Sequence, residues 1–378
     1  MTETVFSNAK LVLPNEVVLG SVRAENGAIT AINTGPGDVG EDMAGDYLIP
    51  GLIELHTDQF ENHYRPRPGV FWNTLGALQA HDVQIAGSGI TTVFDAVRIG
   101  ADPEMPGMAE HVQVMVDAIA TGVGDGRLRA DHLIHLRCEL PTPDVVDDFE
   151  RFCGLPLVKL ASVMDHTPGQ RQYQTLGGYV QYYKSKLNLS DAEMEQFIAD
   201  RQAEGERYSA SNRAAILKRG HEIGIAFASH DDATEEHVEE SLRDGVDIAE
   251  FPTTLVAAEA SHKAGLAVLM GAPNVVRGGS HSGNIAAADL AREGCLDVLS
   301  SDYVPGALLL AAFMLPGIAE NIQLSDAIRM VSSRPAKAAH LSDRGEIAVG
   351  KRADLVRVRM HGDMPVVKGV WRQGQRVS

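Results

Sequence analysis

This sequence predicts an α/β protein whose main body is a closed (β/α)8 barrel of the TIM type, accompanied by a small β-sandwich domain built from both termini. Two observations carry that expectation. Between residues 50 and 344, short apolar strands alternate with amphipathic helices, the pattern of a parallel sheet. Outside those limits both ends of the chain read as strands and turns alone. The expected boundaries are therefore 1–49 with 345–378 for the composite sandwich and 50–344 for the barrel.

The elements follow in order. Near the start, Lys10–Leu13, Val17–Ser21 and Ala28–Ile32 read as strands, punctuated by Pro14-Asn15 and Gly35-Pro36-Gly37. The barrel strands read as Leu52–His56, Ile90–Asp95, His132–Glu139, Leu157–Val163, Ile225–His230, Asp247–Phe251, Leu266–Gly271 and Asp297–Asp302. Between them Ser190 and Glu193 form a capping-box pattern, and Gly220, Gly245, Gly265 and Gly294 read as helix C-terminal residues. Two gaps, after the first barrel strand and between Met164 and Ile225, exceed simple loops; Gly169–Leu189, rich in Gln, Tyr and Lys, is expected to fold over the site as a lid. The most apolar stretch, Gly306–Leu315, has the length of a buried helix and falls far short of the ~20 residues a membrane span needs. The chain closes on alternating segments after Gly345 and Gly350 and over Val366–Arg372.

Composition narrows the partners. The 378 residues are 44% apolar and 22% charged, an ordinary globular balance that excludes disorder. Thirty-three Lys and Arg against 51 Asp and Glu give 33 − 51 = −18, which argues against a general nucleic-acid or anionic-membrane surface. An anionic ligand would need basic residues gathered locally. Cys138, Cys153 and Cys295 are far apart and outside any CxxC spacing, so buried small hydrophobes in a reducing compartment are expected. No basic stretch followed by an apolar core opens the chain, and a cytoplasmic location is expected.

In such barrels the reactive groups sit at the C-terminal ends of the strands. Read in order, those ends carry His56 and Asp58, Asp95, Glu139, Asp165 and His166, His230, Glu250, Asn274 and Asp302. In His56-Thr57-Asp58, strand alternation turns the first and third side chains to one side, where both can meet one cation. His81, His111, His221, His237, His262 and His340 fall on helices or their ends and read as surface or packing residues.

PGLIELHTD at 50–58, LSSD at 299–302 and GEIAVGKRADLV from Gly345 onward resemble the metal-dependent amidohydrolase superfamily. Longer stretches, HLRCELP (135–141), MDHTPGQRQ (164–172), ASHDDAT (228–234) and MGAPNVVRGGSHSGN (270–284), resemble one branch of it. That branch comprises the diphosphatases that act on α-D-ribose 1-methylphosphonate 5-triphosphate in the carbon–phosphorus lyase pathway of phosphonate catabolism. The resemblance implies hydrolysis of that sugar triphosphate to the 5-phosphate and pyrophosphate. It further implies one or two divalent ions, Zn²⁺ or, because carboxylates harden the site, Mn²⁺ or Fe²⁺.

By the same resemblance His56, Asp58 and Asp302 would hold one ion and His166 and His230 another, with Glu139 bridging unless a carbamylated Lys159 does so. Asp302 would also accept the proton of the attacking water. Glu250 stands where a histidine is usual, either as a ligand or behind one. Arg65, Arg67, Arg171 and Arg277, with Arg98 and Arg137, are the expected phosphate contacts, joined by backbone N–H groups of the loop Gly278-Gly279-Ser280-His281. The partner would be a small phosphorylated ribose, and a homodimer is expected by analogy. Two other readings stay open: hydrolysis of an amide or cyclic amide on the same scaffold, and a non-catalytic barrel that binds other proteins.

Overall fold

The computed structural model describes residues 3–100, 108–171, 176–280 and 283–378. Among the described residues sixteen strands form two sheets. The terminal sheet contains β1 (Glu3–Val12), β2 (Val17–Glu25), β3 (Ala28–Thr34), β4 (Glu41–Asp42) and β5 (Tyr47–Pro50) from one chain end. The barrel follows with β6 (Leu52–Thr57), β7 (Ile90–Ile99), β8 (Asp131–Glu139), β9 (Val158–Met164), β10 (Ala226–His230), β11 (Ile248–Glu250), β12 (Ala267–Gly271) and β13 (Val298–Ser300). The other chain end returns β14 (Leu355–His361), β15 (Met364–Arg372) and β16 (Gln375–Arg376) to the terminal sheet.

The terminal sheet runs in the order β16-β15-β14-β5-β1-β2-β3, with β4 beside β1. Its core is Phe6, Leu11, Val22, Leu48, Leu355 and Trp371, the last meeting Phe6 edge to face at 4.8 Å. Interleaving of residues from both ends is what alternating apolar positions in two distant segments require, since neither half can bury its apolar face alone.

The second sheet keeps chain order from β6 to β13, with parallel pairing, and defines the barrel. Last and first strands meet through a parallel bridge between Thr57 and Asp302, where the Thr57 hydroxyl donates to the Asp302 carbonyl at 2.7 Å. β6 and β10 are buried along their whole length, which is why they read as apolar runs rather than as alternation.

Contact density divides the chain into two units, one of residues 1–95, 118–133 and 269–378, the other of 96–117 and 134–268. In the first, Asp131 at the start of β8 accepts from Arg344 at 2.8 Å, Arg352 at 2.6 Å and Arg372 at 3.1 Å. This carboxylate ties the first turn of β8 to the returning chain end. In the second, the long gap after β9 is filled by helices Leu176–Leu187 and Asp191–Ile223. The expected lid is in part the first of these; Tyr179 and Tyr183 pack there on Met194 and Phe197, and residues 172–175 lie outside the described residues.

Local signals fare unevenly. The Ser190–Glu193 capping box is present, and Gly265 and Gly294 end their helices in the left-handed conformation. Gly220 does not: its helix runs on to Ile223 and is capped by Gly224. Its small size serves packing instead, for a Cβ there would come within 2.3 Å of the Phe227 ring. Asp95 is a second correction. β7 continues to Ile99, so Asp95 lies inside the strand and Arg98 near its end. Residues 307–318 form a buried helix, and among the described residues no helix is long and apolar enough to cross a membrane. All three cysteines are buried thiols.

Candidate metal centre and active site

In the first unit the ends of β6 and β13 are adjacent, which gathers His56, Asp58 and Asp302 at one end of that strand pair. Asp58 Oδ1 is buried without a hydrogen-bond partner among the described residues. Asp302 adopts φ +54°, a conformation non-glycine residues rarely hold. The device that fixes this end is Glu54, two residues before His56 and fully buried. Its carboxylate accepts from the His56 N–H at 2.7 Å, the Ser300 hydroxyl at 2.8 Å and the Ser301 N–H at 2.5 Å. Burial pushes Glu54 up to about 7 against these hydrogen bonds. Sequence reading missed it; the signal was a charged residue inside an apolar run, pointing to the same side as His56.

In the second unit His166 and His230 come together, ring centroids 5.7 Å apart. His166 Nδ1 lies 2.6 Å from Glu139 Oε2, and His230 Nδ1 lies 2.7 Å from Glu250 Oε2. With each Nδ1–H given to a carboxylate, the lone pair is on Nε2. The two Nε2 atoms lie 3.8 and 3.5 Å from one oxygen, Asp231 Oδ2, which is buried and has no hydrogen-bond partner among the described residues. Two imidazole nitrogens and a carboxylate oxygen, gathered within 4.8 Å and backed by carboxylates, fit a divalent cation well.

Asp231 turns out of β10 with φ +57°, which swings its side chain back toward His230. Glu139, expected as a bridge, lies against His166, its Oε2 at His166 Nδ1. Arg98 reaches the same oxygen at 3.2 Å, and the His166 N–H donates to Glu139 Oε1 at 3.2 Å. Burial opposes the charge of Glu139, yet His166 and Arg98 outweigh it and hold the carboxyl down at about 2. Glu250 hydrogen-bonds the Nδ1 side of the His230 ring. Lys159 is exposed near the start of β9, away from the strand's C-terminal end.

The expected anion contacts occupy several different elements. Arg171 is buried, with φ +42°, and its guanidinium is engaged by Asp232 and Glu240, so it braces the start of the Glu235–Arg243 helix. Arg277 is exposed at the end of the helix Ala272–Arg277, followed by left-handed Gly278; Gly279 and Ser280 are half-buried. His281 lies outside the described residues. Arg67 is exposed and Arg65 half-buried after the first barrel strand. Asn274 does not end a strand; its side chain accepts from the Ala287 N–H at 3.0 Å.

A second histidine cluster lies in the first unit. Asp95 Oδ1 is 2.7 Å from His81 Nε2 and Asp95 Oδ2 is 2.7 Å from His132 Nδ1. His132 Nε2 reaches Asp82 Oδ1 at 3.3 Å, and Asp82 is held by Arg129 at 3.1 Å. All four of these histidine and aspartate side chains are sealed from solvent. Burial opposes a charge on His132, but Asp95 and Asp82 outweigh it and push it up to about 9; burial pushes His81 down.

Comparison with known proteins agrees with this architecture. Residues 190–378 match the model of the Amidohydrolase family. The chain belongs to that family, and with it to the hydrolases built on a barrel plus a terminal sheet. Within it, the chain is 47% identical over 376 residues to the α-D-ribose 1-methylphosphonate 5-triphosphate diphosphatase of Escherichia coli (strain K12), covering 99% of this chain and 100% of that one. Among solved structures it resembles 5-methylcytosine deaminase from Klebsiella pneumoniae, with TM-score 0.64, 16% identity, and 99% and 98% of the two chains covered. It also resembles N-acetyl-D-glucosamine-6-phosphate deacetylase from Mycobacterium smegmatis, with TM-score 0.64, 16% identity and full coverage of both chains. At that identity these structures speak for the fold alone.

Proposed function

We propose that this chain is a metal-dependent diphosphatase that hydrolyses α-D-ribose 1-methylphosphonate 5-triphosphate to the 5-phosphate and pyrophosphate. The observation that carries the reading is end-to-end identity of 47% with a diphosphatase of that specificity, on a chain whose paired histidines are backed by carboxylates. His166, His230 and Asp231 would hold one divalent ion, with His56, Asp58 and Asp302 as a further set of donors. An imidazole–carboxylate set suits Zn²⁺, Mn²⁺ or Fe²⁺. When bound, such an ion withdraws charge from a phosphoryl oxygen and acidifies water.

The chain's own residues do the rest. Glu139 and Glu250 fix the tautomer and ring plane of His166 and His230. Asp302 accepts the proton of the water that attacks the α-phosphorus, and Glu54 holds it in place through Ser300 and Ser301. Pyrophosphate is a weakly basic leaving group, so positioning and charge stabilisation suffice without a dedicated acid. We also retain 1–49 with 345–378 as the terminal domain and 50–344 as the barrel.

Phosphorus NMR of the products, with an EDTA-treated control, tests the assignment. Pyrophosphate released only by metal-loaded protein is the expected outcome, and ¹⁸O-water should label the 5-phosphate product. Intact triphosphate after incubation with protein shown to hold metal would refute it. Asp302→Asn should lower turnover by about 10³-fold or more with the melting temperature unchanged; a scaffold protein would tolerate the change.

A further inference from the structure

Side chains alternate along β8, so His135, Arg137 and Glu139 share one face in the second unit. The two ends of that row reach the groups around the histidine pair: His135 offers a ring nitrogen within 4.8 Å of a Glu250 oxygen, and Glu139 Oε2 lies 2.6 Å from His166 Nδ1. Arg137 therefore faces the same side, about 7 Å along the strand from Glu139, a span that a long arginine side chain covers. It is half-buried, its Nε is shielded from solvent, and it makes no hydrogen bond or ion pair with any described residue. In the parallel register Arg137 stands opposite Ser162 of β9, and Ser162 opposite Ala228 of β10, two residues before His230. Ser162 is fully buried, and its hydroxyl likewise has no hydrogen-bond partner among the described residues. Register partners in parallel strands point the same way, so two buried donors stand side by side on the face that carries His230. Buried donors left unmet are costly, and a guanidinium beside a hydroxyl suits an oxyanion. Arg98 is already met by Glu139, and Arg171 by Asp232 and Glu240; the charge of Arg137 is met by no described residue.

We propose that Arg137 and Ser162 form the subsite for the α-phosphoryl group of the substrate, the guanidinium and the hydroxyl both donating to its non-bridging oxygens. This rests on the diphosphatase reading for the identity of the ligand. The attacked phosphorus must lie against the atoms that would hold the ion, on His166, His230 and Asp231, and Arg137 projects from the same face toward that level. Of the three phosphoryl groups, the α group is the one that stays on the sugar. Donors fixed by two barrel strands hold it in place before and after the bond to pyrophosphate breaks.

Calorimetric titration of metal-loaded protein with the two products tests it, since α-D-ribose 1-methylphosphonate 5-phosphate keeps the α-phosphoryl group and pyrophosphate does not. Arg137→Gln should weaken binding of the sugar phosphate about 10- to 100-fold, as loss of a charge-assisted contact does, and that of pyrophosphate less than about 3-fold. Ser162→Ala should weaken the sugar phosphate about 3- to 10-fold without lowering the melting temperature, because the folded chain loses no hydrogen bond of its own. Unchanged binding of the sugar phosphate in both variants, a loss confined to pyrophosphate, or no binding of the sugar phosphate by wild type overturns the proposal. An arginine with a structural role alone would shift the melting temperature and leave both dissociation constants as they were. If Arg137→Gln does not fold, Ser162→Ala decides. Phosphorus NMR with the triphosphate scores the diphosphatase reading apart from this. Wild type that binds the sugar phosphate through Arg137 yet leaves the triphosphate intact refutes that reading and keeps the subsite; wild type that cleaves the triphosphate while Arg137→Gln binds the sugar phosphate equally well refutes the subsite alone.

Discussion

Two clusters in this molecule contain two histidines and an aspartate close enough to share an ion, and they are built in opposite ways. In His166–His230–Asp231, each ring gives its Nδ1 to a glutamate outside the trio, and both Nε2 atoms approach a single oxygen at 3.5–3.8 Å that has no hydrogen-bond partner among the described residues. In His81–Asp95–His132, the aspartate sits between the rings and takes a 2.7 Å hydrogen bond from each, and His132 Nε2 turns to a second carboxylate, Asp82. The first is a candidate ligand set backed by carboxylates; the second is a buried ion network in which Asp95 and Asp82 face His132 and Arg129. Residue types are identical. What separates them is which nitrogen faces which oxygen, and whether the carboxylate lies between the rings or behind them.

The comparison breaks most visibly at His230. His230→Ala should abolish stoichiometric metal, measured by elemental analysis, and lower turnover by about 10³-fold or more while the protein still melts cooperatively. Retained metal and activity would move the centre elsewhere. The matching change in the sealed cluster, His132→Ala, leaves Asp95 buried without its cation and Asp82 with Arg129 alone. It should cost about 3–5 kcal/mol of unfolding free energy in urea titrations, with no change in metal per folded chain. Loss of metal there would erase the distinction.

Glu250→Gln is milder, since an amide can still accept from His230 Nδ1; metal affinity should fall about 10- to 100-fold in a competition assay with a chelator. The smallest effect is one of pH. His132 is raised in the folded state to about 9 from an ordinary 6.5, so its stabilisation is complete below pH 6.5 and disappears as pH rises toward 9. Asp95, where burial is outweighed by His132 and His81 and the carboxyl falls to about 2, loses its contribution only as pH drops below about 3.8. Melting temperatures between pH 6.5 and 9 should decline in wild type and decline less in His132→Gln. Parallel slopes would show that His132 is neutral in the fold.

Much of the fold was legible because each barrel strand is a short apolar run bounded by glycines or helix caps. The expected strand Leu52–His56 differs from β6 by one residue at one end, and Asp247–Phe251 from β11 by one residue at each end. The candidate site was legible in part, since a barrel fixes where its strands end: His56, Asp58, His166, His230 and Asp302 could be singled out from position alone. Asp95 shows where that logic fails. Its strand continues four residues further, because Ala96, Val97 and Ile99 are as buried as the residues before them, and a carboxylate inside such a run looks like an ending. Arg171 fails differently, since its partners Asp232 and Glu240 lie on a later element and no local spacing announces an ion pair across 61 and 69 residues.

By itself the sequence determined the barrel, the terminal sheet, the family and the residue types available to chemistry, because periodicity, caps and strand ends are properties of the local chain. Only the tertiary structure decided that Asp231 joins the histidines, that Glu139 and Glu250 stand behind them, and that Glu54 anchors the Asp302 turn. Those roles depend on distances between residues far apart in sequence and on the direction of each hydrogen bond, and on burial, which sets the charge a carboxyl or imidazole carries.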